Sequence, residues 1–189
     1  DYGTVLISPQ SDMLFENYSD NWSGCRSENT KMAPHFLRAE FLRQRCTIEA
    51  AVSERCVKIR AEFGDIPKRA ISIFNIIENS AFEVKIKNDA VYLAADGIEP
   101  GIAKNFKSFY VIRPLNGCID LEKSLISQNT CHLMPIGSGA ELNISVSYIS
   151  FEQAELNMRE IDGKTFKDVQ GESEQLWEKY LSKIKLDSS

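Results

Sequence analysis

The sequence predicts a mainly β chain, an antiparallel β-sandwich followed by two C-terminal α-helices, and three observations carry that prediction. Apolar and polar residues alternate with a period of two in several short runs. Turn-forming residues fall between those runs. After Ser150 the period lengthens to about 3.6, the helical value. With 189 residues, 43% hydrophobic and 26% charged, the chain suits one core burying roughly 70% of its unfolded surface.

Each strand prediction rests on one run. In "CTIEAAVS", Cys46, Ile48, Ala50 and Val52 face inward, and Thr47, Glu49, Ala51 and Ser53 face outward, as on a half-buried strand. "VKIRAEF" repeats the pattern, with Val57, Ile59, Ala61 and Phe63 inward against Lys58, Arg60 and Glu62. "FEVKIK", from Phe82 to Lys87, follows it, and "ELNISVSYI" does so through Leu142, Ile144, Val146 and Tyr148. Between them stand Gly64-Asp65 with Pro67, Asn88-Asp89, Asp96-Gly97 with Pro100-Gly101, Asn116-Gly117, and Gly137-Ser138-Gly139. Short strands separated by turns indicate an antiparallel sandwich over residues 1–150, without internal repeats.

Residues 151–189 read as helical. Ser150 is placed to cap the first turn while Gln153 reaches back in a capping box. Phe151, Ala154, Met158 and Ile161 share one face, and Gly163 sits where a left-handed C-terminal residue is wanted. Thr165 with Asp168 starts a second helix, whose stripe is Val169, Leu176, Tyr180 and Ile184 with Trp177 beside it. A sandwich can bury only part of that stripe, so Trp177 and Tyr180 are expected to meet something more.

Composition narrows the function. A net charge of -5, with Lys and Arg scattered among carboxylates, offers no basic stripe for nucleic acid. The longest apolar run, Ile71 to Ile77, contains Ser72 and Asn75 and falls short of the roughly 20 residues of a membrane span. "DYGTVLISPQ" has no initiator Met, basic leader or apolar core of an export signal, so the chain reads as cut from something longer. Its first strands are then absent, and the sheet edge near Val5 to Ile7, with the last helix, is expected to favour self-association.

The residues suggest no catalytic centre. Cys25, Cys46, Cys56, Cys118 and Cys131 are odd in number and lack C-x-x-C spacing; Cys46 and Cys56 could pair across a hairpin, but buried thiols are the preferred reading. Hydrolysis by a general acid and a general base carboxylate needs the pair held roughly 6.5–9.5 Å apart with a water between them, yet Glu49, Glu62 and Glu83 read as a solvated sheet face. His35 and His132, the two histidines, read as surface or satisfied core residues. "GSG" at 137 is a turn without a dinucleotide-binding context, and no D-x-D-x-D-G calcium loop occurs, so no metal site is expected. The polar loop "NYSDNWSGCRSENTKM" gathers Trp22, Arg26, Glu28 and Asn29, able to stack on a sugar ring, to bond its hydroxyls, or to meet a neighbouring domain. The plainer reading packs Trp22 on the sandwich.

The helical end carries a resemblance. A strand ending S-Y-x-S at Ser147 to Ser150, then E-Q-A-x-x-N at Glu152 to Asn157, Phe166, and Trp177 with Leu181 and Ile184 are similar to the end of the N-terminal β-sandwich of glycoside hydrolase family 92, bacterial exo-α-mannosidases of α-1,2-mannosidase type. "SENTKMAPHFLRAEFLRQRCTIEAAVSERCVKIRAEF" resembles a second block of that domain, with His35, Ser53 and Ile59 departing from the usual Gly, Thr and His. "DYGTVLISP" resembles its upstream strand. The resemblance implies a galactose mutarotase-like super-sandwich joined by a helical connector to a helical-barrel catalytic domain that lies outside this chain. It further implies an exported, periplasmic or cell-surface bacterial enzyme of N-glycan degradation that removes terminal α-mannose with inversion. The general acid, general base and calcium of that enzyme belong to the helical domain. By this reading the chain alone is inactive, carries no cofactor, and has mannose-containing glycans and the helical domain as partners; the alternative is a stand-alone carbohydrate-binding module.

Overall fold

A computed structural model describes residues 4–77, 80–96 and 106–183. It shows the expected sandwich: twelve strands, all paired antiparallel, followed by two helices. The strands are β1 (Val5–Ser11), β2 (Lys31–Ala33), β3 (Phe36–Phe41), β4 (Cys46–Val52), β5 (Cys56–Phe63) and β6 (Arg69–Asn75). They continue with β7 (Glu83–Lys87), β8 (Ala90–Asp96), β9 (Lys107–Pro114), β10 (Ile119–Ile126), β11 (Thr130–Pro135) and β12 (Gly139–Ser147). The helices are α1 (Phe151–Met158) and α2 (Phe166–Leu181). One sheet has the order β1-β6-β11-β10 and the other β2-β3-β4-β5-β12-β9-β8-β7.

Local chemistry sets the corners. Asn88 and Asp89 both take positive φ, 51° and 57°, the conformation of a two-residue hairpin turn, and join β7 to β8. Asn116 and Gly117, at 54° and 62°, carry the chain from β9 in the large sheet to β10 in the small one. The expected turn at Gly97 and Pro100-Gly101 lies outside the described residues, as do Ile184 and the first three residues.

The inward rows match the alternation. Cys46, Ile48, Ile59, Ala61, Phe63, Leu142 and Ile144 enter one core with Ile71, Ile73, Leu93 and Leu133. The outward rows do not match, because the middle of the large sheet is buried on both faces. Ala51, expected at the surface, is 0% exposed and joins Cys56, Tyr92 and Val111 in a second core with Met158, Ile161, Phe166 and Val169 of the helical segment. Lys58, also expected outward, is 2% exposed and donates Nζ to Asn143 Oδ1 at 2.7 Å. Burial holds its pKa below the ordinary 10.5. Two smaller differences concern the last two runs: Ile86 is exposed on edge strand β7, and Tyr148, past the end of β12, is 49% exposed and stacked on Phe106.

The thiols are free, and geometry excludes the Cys46–Cys56 pair. Cys46 pairs with Phe63 at one end of the β4–β5 hairpin and faces the first core, whereas Cys56 stands at the other end and faces the second. Burial pushes the thiols of Cys46, Cys56 and Cys131 up to about 12.

Both helix caps form. Ser150 accepts Gln153 N and Thr165 makes a full capping box with Asp168. Gln153 does not reach back; its side chain donates to Asn157 Oδ1 at 2.9 Å. Gly163 takes φ 72°, as its position requires. Side chains then fasten α1 and the turn after it to the sheet. Ser145 Oγ donates to Ala154 O at 2.7 Å, Asn157 Nδ2 to Val146 O at 2.8 Å, and Tyr92 Oη to Glu155 Oε1 at 2.5 Å. Glu160 accepts from Ser53 Oγ at 2.6 Å, Arg55 Nε at 2.6 Å and Arg55 N at 3.1 Å, and Arg113 pairs with Asp162 at 2.9 Å.

Phe166 is 2% exposed, meets Phe36 edge-on at 6.3 Å and lies under the Arg60 guanidinium at 4.4 Å. Phe166→Ala is expected to cost about 3–5 kcal/mol in urea unfolding. Burial pushes the Glu160 carboxyl up, but the bonds from Ser53 and Arg55 outweigh it and leave the pKa below its ordinary 4.5. A depressed carboxylate stabilises the fold above the unfolded-state pKa and loses that contribution as pH falls through the folded-state one. Glu160→Gln is therefore expected to lower stability by about 1.5–3 kcal/mol at neutral pH, with the gap to wild type closing below pH 4.5.

Candidate functional site

Residues 12–22 form a strap over the outer face of the small sheet. The register puts Ser8, Gln10, Ser72, Phe74, Thr130 and His132 on that face, opposite the core-facing Ile71, Ile73, Cys131 and Leu133. Gln10 holds the strap by the backbone N–H and C=O of one residue, with Oε1 accepting Phe15 N at 2.5 Å and Nε2 donating to Phe15 O at 3.1 Å. Asn21 Nδ2 donates to Ser8 Oγ and to Pro9 O, both at 3.0 Å, and Gln44 Nε2 donates to Asn21 Oδ1 at 2.9 Å.

At the strap's end Trp22 is 68% exposed, so it is not packed away on the sandwich. Arg43 fixes it from one side: the guanidinium lies 4.9 Å from the Trp22 ring and 5.0 Å from the Phe15 ring, and Nη1 donates to Asp20 O at 3.0 Å. The indole is thus an exposed plane held by a cation. Arg26, Glu28 and Asn29 sit in the next stretch. Ser27–Asn29 is a single 3-10 turn, Asn29 Nδ2 donates to Glu40 Oε2 at 2.5 Å, and Ser27 Oγ donates to Glu28 Oε2 at 3.4 Å. Arg26 lines a hollow of about 450 Å³ with Glu40, Arg45, Thr47 and Glu62. The four residues therefore do not converge: Arg26 and the Glu40 partner of Asn29 share the hollow, and Trp22 lies apart on Arg43.

Thr47 and Glu62 also line a neighbouring trough of about 500 Å³ on the helix side of the large sheet. Its floor is a row of paired residues across four strands, Arg38, Glu49, Arg60 and Glu141. Arg38 Nη1 bonds Glu49 Oε1 at 2.6 Å and Arg60 Nε lies 3.6 Å from Glu141 Oε1, so the carboxylates are neutralised by neighbours. Among the described residues no group of three or more His, Cys, Asp or Glu side chains is placed to hold a metal. No helix among them is long and apolar enough to cross a membrane.

The other candidate surface is α2. Its first two turns are buried through Phe166, Val169 and Ser173. Beyond them Leu176 is 39% exposed, Trp177 40%, Tyr180 54% and Leu181 57%. Leu176, Trp177 and Tyr180 form one wall of a groove of about 600 Å³ whose other wall includes Pro34 and Val52, with the Arg55–Glu160 pair at its side. Trp177 and Tyr180 thus stand where the stripe leaves the sheet. The contributions of Arg43, Phe15, Pro34 and Val52 were invisible in sequence, since each acts only through partners distant in the chain.

No family model matches the chain, and no curated protein sequence matches it. Solved structures do match. A family GH92 inverting mannosidase of Bacteroides thetaiotaomicron superposes with a TM-score of 0.80 at 18% identity, over 100% of this chain and 28% of that one. A family GH92 alpha-mannosidase of the same organism gives 0.77 at 17% identity, over 99% of this chain and 30% of that one. A further GH92 family glycosyl hydrolase gives 0.74 at 15% identity, over 99% and 29%. The chain thus spans less than a third of these structures' length, and it has the fold that these GH92 glycosidases carry over that part of their chains.

Proposed function

We propose that this chain is a non-catalytic β-sandwich domain of an α-mannosidase, which packs on a helical catalytic domain through α2 and helps shape its site. The carrying observation is the abrupt change along α2 from fully buried to half-exposed apolar residues at Leu176, Trp177 and Tyr180. An apolar face of that kind on a helix otherwise fastened to its sheet calls for a covering surface. Likeness to mannosidases of more than three times the length supports the same reading. Hydrolysis of terminal α-mannose, the acid and base that perform it, and calcium all belong to the helical domain on this view, as does export to a bacterial periplasm or surface for the whole enzyme. The purified chain is expected to give no turnover of an aryl α-mannoside; measurable turnover would sink the proposal.

The α2 face is also open to a second copy when the helical domain is absent. Sedimentation of the purified chain is expected to show self-association. Tyr180→Glu is expected to abolish it while shifting stability by no more than about 0.5 kcal/mol, as for other surface changes. A clean wild-type monomer counts against this use of the face.

A second reading, an independent carbohydrate-binding module, is favoured by one observation: Trp22 presents an exposed ring held flat by Arg43. Titration calorimetry with mannose and short α-mannosides separates the two. The domain reading expects no heat; binding that disappears in Trp22→Ala would establish the module.

A further inference from the structure

The outer face of the small sheet is polar and yet sealed. Gln10, Ser72 and Thr130 are 0% exposed and His132 is 1% exposed. Polar groups are buried without penalty only when each is bonded, and here the bonds run through one directed chain. Gln10 Oε1 accepts the Phe15 amide hydrogen, which fixes the side-chain amide and leaves Nε2 as donor to Ser72 Oγ at 2.8 Å. Ser72 therefore turns its own hydrogen to His132 Nδ1, also at 2.8 Å. The opposite ring nitrogen, Nε2, faces Glu16 Oε1 of the strap at 3.3 Å, and Thr130 Oγ1 donates to Glu16 O at 2.9 Å. This arrangement assigns a neutral imidazole with its hydrogen on Nε2.

We infer that His132 is an acid-operated latch: a proton on Nδ1 breaks the Gln10–Ser72–His132 chain and frees the strap that carries Trp22. The arriving proton meets a hydroxyl whose hydrogen already points at it, and Gln10 Nε2, 3.3 Å away, is a donor with both hydrogens committed to Phe15 O and Ser72 Oγ and offers no acceptor. No acceptor is available at Nδ1 unless Ser72 turns, and Ser72 turns only by leaving its hydrogen without the ring as acceptor. The charged groups facing the imidazole are Glu16 of the strap, which attracts the proton, and Lys68 before β6, which opposes it. Phe74 contributes only a ring edge at 6.4 Å. Burial lowers the His132 pKa from 6.5 and outweighs Glu16. The ring therefore binds protons more readily with the strap open than closed. Closure is complete above the open-state pKa and weakens as pH falls through it.

The latch is independent of the mannosidase reading and is testable on the whole chain. The sequence has two tryptophans, so Trp177→Phe leaves Trp22 as sole reporter. Exchange of the Phe15 amide, corrected for its intrinsic rate, is followed from about pH 8 to about pH 5 with Trp22 emission and the His132 ring titration by NMR, a range that spans the ordinary histidine pKa. Protection at Phe15 is expected to fall by up to about tenfold for each unit between the open and closed ring pKa, with emission moving at the same midpoint and Leu93 in the core unaffected. His132→Asn retains an acceptor for Ser72 but does not titrate, and its profile is expected to be flat. Titration of His132 without change at Phe15 and Trp22 overturns the latch, as does an unaltered midpoint in His132→Asn. Should that variant fail to fold, the wild-type comparison decides alone.

Discussion

The architecture depends on covering the outer face of the eight-stranded sheet. Its middle rows, Ala51, Cys56, Val111 and Tyr92, are apolar on the side away from the sandwich core. Such a sheet cannot end in water, and a helical layer is the ordinary way to close it. Phe151, Ala154, Met158 and Ile161 supply α1 and the turn after it with the matching surface, and Phe166 and Val169 extend it along α2. Tyr92 shows how tightly the join is made: burial and the bond to Glu155 push its hydroxyl up to about 12. The helical tail is accordingly a third layer of the fold at its start and an uncovered rod at its end.

That division explains what was legible from residues alone. Strands β4 and β5 betray themselves by alternation, because Thr47, Glu49, Arg60 and Glu62 line an open trough on the outer face while the sandwich core takes apolar side chains on the other. Strand β8 shows no alternation: six of its seven residues are buried, since α1 covers what would have been its wet face. The same cover explains why Lys58 was misplaced, as a lysine inside period two signals solvent unless a distant amide such as Asn143 waits for it. Caps were readable because Ser150, Thr165, Asp168 and Gly163 act within one turn of chain. The Cys46–Cys56 alternative failed because spacing gives the ends of a hairpin but not the faces on which its thiols stand.

The candidate site was less legible, for a related reason. Trp22, Arg26, Glu28 and Asn29 are close in sequence, but their side chains meet different neighbours, Trp22 meeting Arg43 and Asn29 meeting Glu40. Proximity along a loop does not predict convergence in space. On α2 the opposite holds, since a helix keeps Leu176, Trp177 and Tyr180 together whatever surrounds it, so the exposed stripe could be read before the fold was seen.

The two broad faces of the molecule are closed by different physics. Helices cover the large sheet mainly through apolar contact, with the Glu160 carboxylate as a pin that is lost only in acid, whereas the strap covers the small sheet through a directed series of bonds from Gln10, Ser72, Thr130 and His132. A buried polar layer is stable only while every donor meets an acceptor. One of its members, an imidazole, can gain a proton. The strap therefore stands nearer to opening than the helical face does. Any ligand or partner that needs Trp22 in place depends on the weaker of the two closures, and one that docks on Trp177 and Tyr180 depends on the stronger.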